Sequence, residues 1–200
     1  HLLRQSRILM IPFLFVLLGC EQPKEGMVML KNDLGTYWID RYEFPNVVGE
    51  TPQNGATVED ATLACESVGK RLCTASEWRQ ACAGDDMQRQ YPYGSLHIEQ
   101  ACSGDRAVEG GHTSMISDLV RPSGSYPACV TPEGVFDLVG NLEEWVLDSG
   151  WGGTHSLEGG AWYTHRSYAT CNGGYARQPD YRLITDRAIL SVGFRCCSSS

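Results

Sequence analysis

Residues 159–174 read GGAWYTHRSYATCNGG and place Cys171 shortly after His165 and Arg166. A thiol near an imidazole and a guanidinium can be an activated nucleophile or a metal ligand, because neighbouring cations favour the thiolate. It can equally be half of an inert disulfide. A second segment gathers hard oxygen atoms: Asp137, Asn141, Glu143, Glu144 and Asp148. Calcium takes six to eight such oxygens, main-chain carbonyls included. The spacing is not that of an EF-hand, and a solvated acidic turn has the same composition. No GxSxG, HExxH, P-loop or dinucleotide fingerprint occurs, so those catalytic classes gain no support.

The chain has nine cysteines. Cys20 stands apart, near the start. The other eight, Cys65, Cys73, Cys82, Cys102, Cys129, Cys171, Cys196 and Cys197, form no CxxC pair and no zinc spacing. An even count in an exported chain reads as disulfides, but eight cysteines allow 105 pairings, so the connectivity stays open. Cys196 and Cys197 are adjacent and are expected to bond different partners. By this parity a disulfide is the default role for Cys171.

The elements that would position these residues are short. Residues 27–30 and 37–42 alternate like strands, with Asn32, Asp33 and Gly35 as turn signals. Thr57 to Asp60 resembles a capping start; Ala61, Ala64, Cys65 and Val68 follow at helical spacing, and Gly69 suits the end. A second capping box, Thr74 with Glu77, opens a helix carrying Trp78, Ala81 and Cys82 up to Gly84. Beyond it no long helix is predicted. Turn residues separate short apolar runs such as 135–139 and 188–192. The profile predicts an α+β domain rich in loops and held by disulfides.

Residues 1–19 carry Arg4 and Arg7, an apolar run over 8–18 and a small residue before Cys20. That is the layout of a secretory signal, and Leu17-Leu18-Gly19-Cys20 resembles the bacterial lipobox. The expectation is a signal peptide over 1–19, lipidated Cys20 with a tether over 20–27, and one domain over 28–200. Cys20 would fasten the protein to a membrane of the bacterial cell envelope, on the periplasmic or cell-surface side. Without the two leader arginines, 14 basic residues face 24 acidic ones, which argues against nucleic acid as a partner.

Four separated stretches now resemble one family. They are YWIDRYEFPN at 37–46, GKRLCTASEWRQACAG at 69–84 with YPYG at 91–94, GVFDLVGNLEEWVLD at 134–148, and GGAWYTHRS…GFRC at 159–196. In order and spacing they are similar to the formylglycine-generating enzyme, or sulfatase-modifying factor, family. The resemblance implies a variant of the C-type-lectin-like fold, with irregular backbone around a small twisted sheet. It implies structural calcium at the VGNxxEW loop, with Asn141 and Glu144 as side-chain ligands beside main-chain oxygens. It places Trp145 at the border of the active site, although an apolar residue there also reads as core.

Active members of the family oxidise a sulfatase cysteine to formylglycine with dioxygen. They hold copper between two cysteines of a motif reading roughly GGSxxCHRSYC. Aligned on Gly159-Gly160 and on His165-Arg166-Ser167-Tyr168, this chain has Ala161 at the serine position, Thr164 at the first cysteine position and Ala169 at the second. Soft copper(I) prefers thiolates, so the matched residues argue against copper. Cys171 lies two residues too far along, about 7 Å in an extended segment. His165 and Arg166 are expected to support the loop, Arg166 by bonding a carboxylate or carbonyls. His112 and His155 have no partner spacing that implies a site, and His97 is expected to lie in the loop after YPYG.

Two readings follow. In one, the domain has lost the oxidase site and serves as a binding or structural module. Trp151, Trp162, Tyr163, Tyr168, Tyr175 and Tyr181, with Arg166, Arg177, Arg182 and Arg187, would then supply a surface for a protein or glycan, at least half of these aromatics being core. In the other, it is a divergent formylglycine-generating oxidase or another metal-dependent oxidoreductase of the same family.

Overall fold

The computed structural model describes residues 23–104, 119–147, 155–172 and 190–199. The leader, Cys20, His112, Asp148, Trp151, Tyr175, Arg177, Tyr181, Arg182 and Arg187 lie outside the described residues. So do Ala188 and Ile189 of the last apolar run.

The hairpin predicted at the start forms from β1 (Met27–Asn32) and β2 (Gly35–Asp40), paired antiparallel through the Asn32–Gly35 turn. Both predicted helices follow. In α1 (Val58–Ser67), the Thr57 side chain accepts from the Asp60 amide and the Asp60 carboxylate accepts from the Thr57 amide. At its end Gly69 N donates to Glu66 O and Lys70 N to Cys65 O, the paired bonds of a Schellman stop. In α2 (Ala75–Ala83), Thr74 and Glu77 make the same reciprocal cap. These caps satisfy amides that a helix leaves without intrahelical partners.

The remaining strands are β3 (Arg71–Leu72), β4 (Glu143–Leu147), β5 (His155–Glu158), β6 (Val192–Phe194) and β7 (Cys196–Ser199). They build two sheets where a single small one was expected: β1-β2-β7-β3 and β5-β4-β6. All pairings are antiparallel except β4 with β6. The apolar run 135–139 is not a strand. Val135, Leu138 and Val139 are buried on a loop, which an isolated bridge, Val130 to Phe136, and the bond from Phe136 N to Arg41 O link to neighbouring backbone. The architecture is α+β, as the element pattern predicted. Among the described residues no helix is long and apolar enough to cross a membrane.

Four disulfides fasten the loops: Cys65–Cys196, Cys73–Cys197, Cys82–Cys171 and Cys102–Cys129. The adjacent Cys196 and Cys197 do bond different partners, tying the last strand to α1 on one side and to the segment before α2 on the other. Cys171 joins α2. The first three bridges span 89 to 131 residues of chain, so each removes substantial loop entropy from the unfolded state.

Buried polar residues join the four sequence motifs. The Arg195 guanidinium donates to Glu144 through Nε to Oε2 at 2.7 Å and Nη2 to Oε1 at 2.6 Å. It also donates to the main-chain oxygens of Asp40 and Phe136. Trp78, fully buried on α2, donates Nε1 to Glu144 Oε2 at 2.8 Å. Asp40 accepts from Lys70 Nζ at 2.6 Å and from the Cys196 amide. One hydrogen-bonded network thus reaches residues of all four stretches, which explains much of their spacing by packing alone.

Candidate functional site

A cavity of about 440 Å³ opens between residues 91–104 and the 165–169 loop, with Tyr126 and Val139 completing its wall. Its geometry begins at the YPYG turn. Tyr91 and Gly94 exchange main-chain hydrogen bonds, which brings the Tyr91 and Tyr93 rings parallel, 5.5 Å apart and 3° from coplanar. His97 meets Tyr91 edge-on at 5.5 Å. Tyr93 Oη accepts from the Ile98 amide, and burial raises its pKa above the ordinary phenol value. Tyr91 Oη donates to the Arg166 carbonyl at 3.2 Å and so ties the two walls together.

The opposite wall is fixed from behind. Ala169 N donates to His165 O, closing a turn, and Cys171 N donates to Gln90 O. The Cys82–Cys171 bridge then locks the loop to α2, while Cys102–Cys129 holds the 91–104 segment. Gly140 allows the close approach beneath. Its φ is +79°, and a Cβ there would lie 2.1 Å from Ser103 O. Gly159 is similarly constrained, with φ +82° and Leu138 O 2.4 Å from a Cβ. Neither position accommodates a side chain without backbone movement.

The residues at the expected copper positions hold no sulfur. Thr164 Oγ1 accepts from Ala161 N at 2.9 Å and Thr164 N donates back to Ala161 O, so the hydroxyl closes a local turn. Ala169 is buried against the cavity wall. The nearby sulfur, Cys171, is fully buried and bonded to Cys82. All eight cysteines of the described residues are paired, so this donor set does not fit a thiolate-bound copper ion.

The implied calcium pair is committed elsewhere. Both Glu144 oxygens accept from the buried Arg195 cation, and Oε2 also accepts from Trp78. Asn141 Oδ1 accepts from the Arg121 amide; Nδ2 donates to Glu43 Oε2 and Arg121 O. A guanidinium already neutralises the carboxylate, and the amide oxygen faces another donor. These two side chains do not fit as joint ligands of one calcium ion. Among the described residues no group of three or more His, Cys, Asp or Glu is arranged to hold a metal.

The acidic segment instead forms a buried carboxyl cluster. Glu43, Asp137 and Glu144 share the cation Arg195. Burial pushes Glu43 well above the usual carboxyl range, and the Asp137 and Glu144 charges push the same way. Burial also raises Asp137 to about 6, against the opposing hydrogen bond from Gly124 N. Asp137 and Asn141 both adopt left-handed backbone, φ 56° and 57°, a conformation that Asp and Asn tolerate better than most residues.

Other expectations divide. Trp145 is core: it is buried and donates Nε1 to Ala56 O. Trp162 is buried too, Tyr163 is half-buried and Tyr168 is exposed. His165 supports its own loop, with Nδ1 accepting from Ser167 N and contacting Ser167 Oγ at 2.8 Å. Arg166 departs from expectation. Its guanidinium bonds no carboxylate or carbonyl among the described residues; the residue lines the cavity. His97 lines the cavity as well, and His155 sits on β5 opposite Leu147. The pocket role of Tyr91, Tyr93 and Glu99 was not read from sequence. Two tyrosines flanking a Pro in a tight turn were the available signal.

Comparison with known proteins gives the family and the fold. Residues 37–200 match the sulfatase-modifying factor enzyme 1-like domain family. The formylglycine-generating enzyme of Mus musculus is 27% identical over 167 residues, covering 70% of this chain and 42% of that protein. The inactive C-alpha-formylglycine-generating enzyme 2 of Bos taurus is 28% identical over 169 residues, covering 76% of this chain and 51% of that protein. The chain therefore spans about half the length of these relatives or less. In structure, Treponema denticola variable protein 1 superposes with a TM-score of 0.62 at 13% identity, over 87% of this chain and 95% of that one, a likeness of fold.

Proposed function

The chain belongs to the sulfatase-modifying factor enzyme 1-like domain family, and on that premise we propose that it is a ligand-binding member without the oxidase reaction. The observation that carries this reading is the Cys82–Cys171 disulfide behind a loop whose matched cysteine positions are Thr164 and Ala169. Oxidation of a substrate cysteine through copper needs protein thiolates to hold the soft ion. Here the only sulfur of that loop is spent on a cross-link, which makes it a positioning device for the cavity. A relative described as inactive supports the idea that this scaffold persists without the chemistry.

The same proposal places the protein outside the reducing cytoplasm. Four disulfides are stable in oxidising compartments. With the lipobox-like Cys20, they support a lipid-anchored module of the bacterial cell envelope. The recognition site is the cavity framed by Tyr91, Tyr93 and the 165–169 loop. Its aromatic walls and concave shape suit a small ligand better than a broad flat surface does.

The test is incubation of the purified protein, copper-loaded and in air, with a sulfatase-type CxPxR peptide. The proposal expects no formylglycine above the copper-only background. Turnover that depends on the protein would defeat it.

A further inference from the structure

Arg166 and Glu99 both line the cavity, yet they form no ion pair, so their charged atoms stand more than 4.0 Å apart. Neither side chain has another hydrogen-bonded or ionic partner among the described residues. Lys70, Arg71, Arg79, Arg89 and Arg195 are each matched to a carboxylate. Lys31, Arg41 and Arg121 also bond no carboxylate among the described residues, but Arg166 and Glu99 are the cation and the anion that line this cavity.

Resting on the binding-module reading above, we propose that the cavity takes a small zwitterion with an aromatic body, the class of a free aromatic α-amino acid. The parallel Tyr91 and Tyr93 rings and the edge of His97 offer a face for a ring. Arg166 offers a planar donor pair to a carboxylate, and Glu99 accepts from an ammonium. A ligand with one charge would pair one of these groups and leave the other partly desolvated beside it, a cost that grows with water exclusion. A ligand with both charges meets both groups at once. The volume of about 440 Å³ lies within the usual range for small-molecule pockets.

The experiment is calorimetric titration of the folded, oxidised protein with three probes of similar shape: L-phenylalanine, 3-phenylpropionate and phenethylamine. L-Phenylalanine is expected to bind at least about tenfold more tightly than either singly charged probe, the equivalent of about 1.4 kcal/mol. Arg166→Gln is expected to lower phenylalanine affinity to the level of phenethylamine. Glu99→Gln is expected to lower it to the level of phenylpropionate. Both side chains are exposed, and unchanged thermal melting of each variant checks that the fold is kept. Equal affinity for the three probes, no binding of phenylalanine, or phenylalanine affinity indifferent to both substitutions would overturn the proposal. These outcomes leave the absence of oxidase activity untouched, because that is read separately from the CxPxR peptide.

Discussion

Arg195 and Glu144 face each other as a two-bonded ion pair, and neither side chain exposes any surface to solvent. Their pairing ties the GFR stretch to the VGNxxEW stretch, and Trp78 joins from α2. Removing either partner leaves an uncompensated buried charge. We therefore expect Arg195→Met and Glu144→Gln each to cost on the order of 3–5 kcal/mol in urea unfolding. The double substitution should cost less than the sum of the two, since it removes both members of the bonded pair and leaves neither facing an empty partner position.

Asp137 gives the stability curve a sign that most carboxylates do not. Its folded pKa is raised to about 6 by burial, above the unfolded value. The folded state then holds the proton more tightly between roughly pH 4 and 6. Asp137 stabilises fully below the lower limit, and that contribution is lost as pH rises through the upper one. On acidification from pH 7 to 5 the melting temperature should rise, by the equivalent of about 1–2 kcal/mol. Asp137→Asn, which keeps an acceptor for Gly124 N, should reduce the response measured by calorimetry across that range, leaving the part that the raised Glu43 and Asp40 carry in the same direction. Glu77 and Glu133 have lowered values and act in the opposite direction at more acid pH.

The Cys82–Cys171 bridge joins α2 to the cavity loop across 89 residues of chain. Replacing both cysteines by alanine should reduce stability by about 2–5 kcal/mol in guanidinium titration. Hydrogen exchange should show the loss of protection concentrated at the amide of residue 171, which in the bridged protein donates to Gln90 O.

Chelation should leave the protein as it was. Glu144 is neutralised by Arg195, and Asn141 is bonded to Arg121 and Glu43. Melting temperatures with excess EDTA and with added calcium are expected to agree within about one degree, since a bound ligand stabilises by RT ln(1 + [L]/Kd) and these two side chains are committed to other partners. A calcium-dependent rise of several degrees would show that other oxygens build one.

The caps were legible because they are local: Thr57 with Asp60 and Thr74 with Glu77 need only four consecutive residues each. Cysteine parity likewise anticipated the bonded state of Cys171, but not its partner, since pairing is set by tertiary approach across the whole chain. The Arg195–Glu144 contact was hidden for the same reason, being separated by 51 residues. Acidic composition alone could not distinguish a calcium loop from carboxylates gathered about an arginine. The cavity was the least legible part. Tyr91, Glu99 and Arg166 are distant in sequence and acquire a joint meaning only when the YPYG turn and the 165–169 loop face each other.

The most direct measurement is peptide mapping by mass spectrometry after alkylation of the native, unreduced protein. The Cys171 peptide is expected to be recovered covalently joined to the Cys82 peptide, with no alkyl group. Recovery of Cys171 chiefly as an alkylated, unlinked peptide would mean that a thiol is free beside the cavity, and would contradict a domain whose loop sulfur is spent on a cross-link.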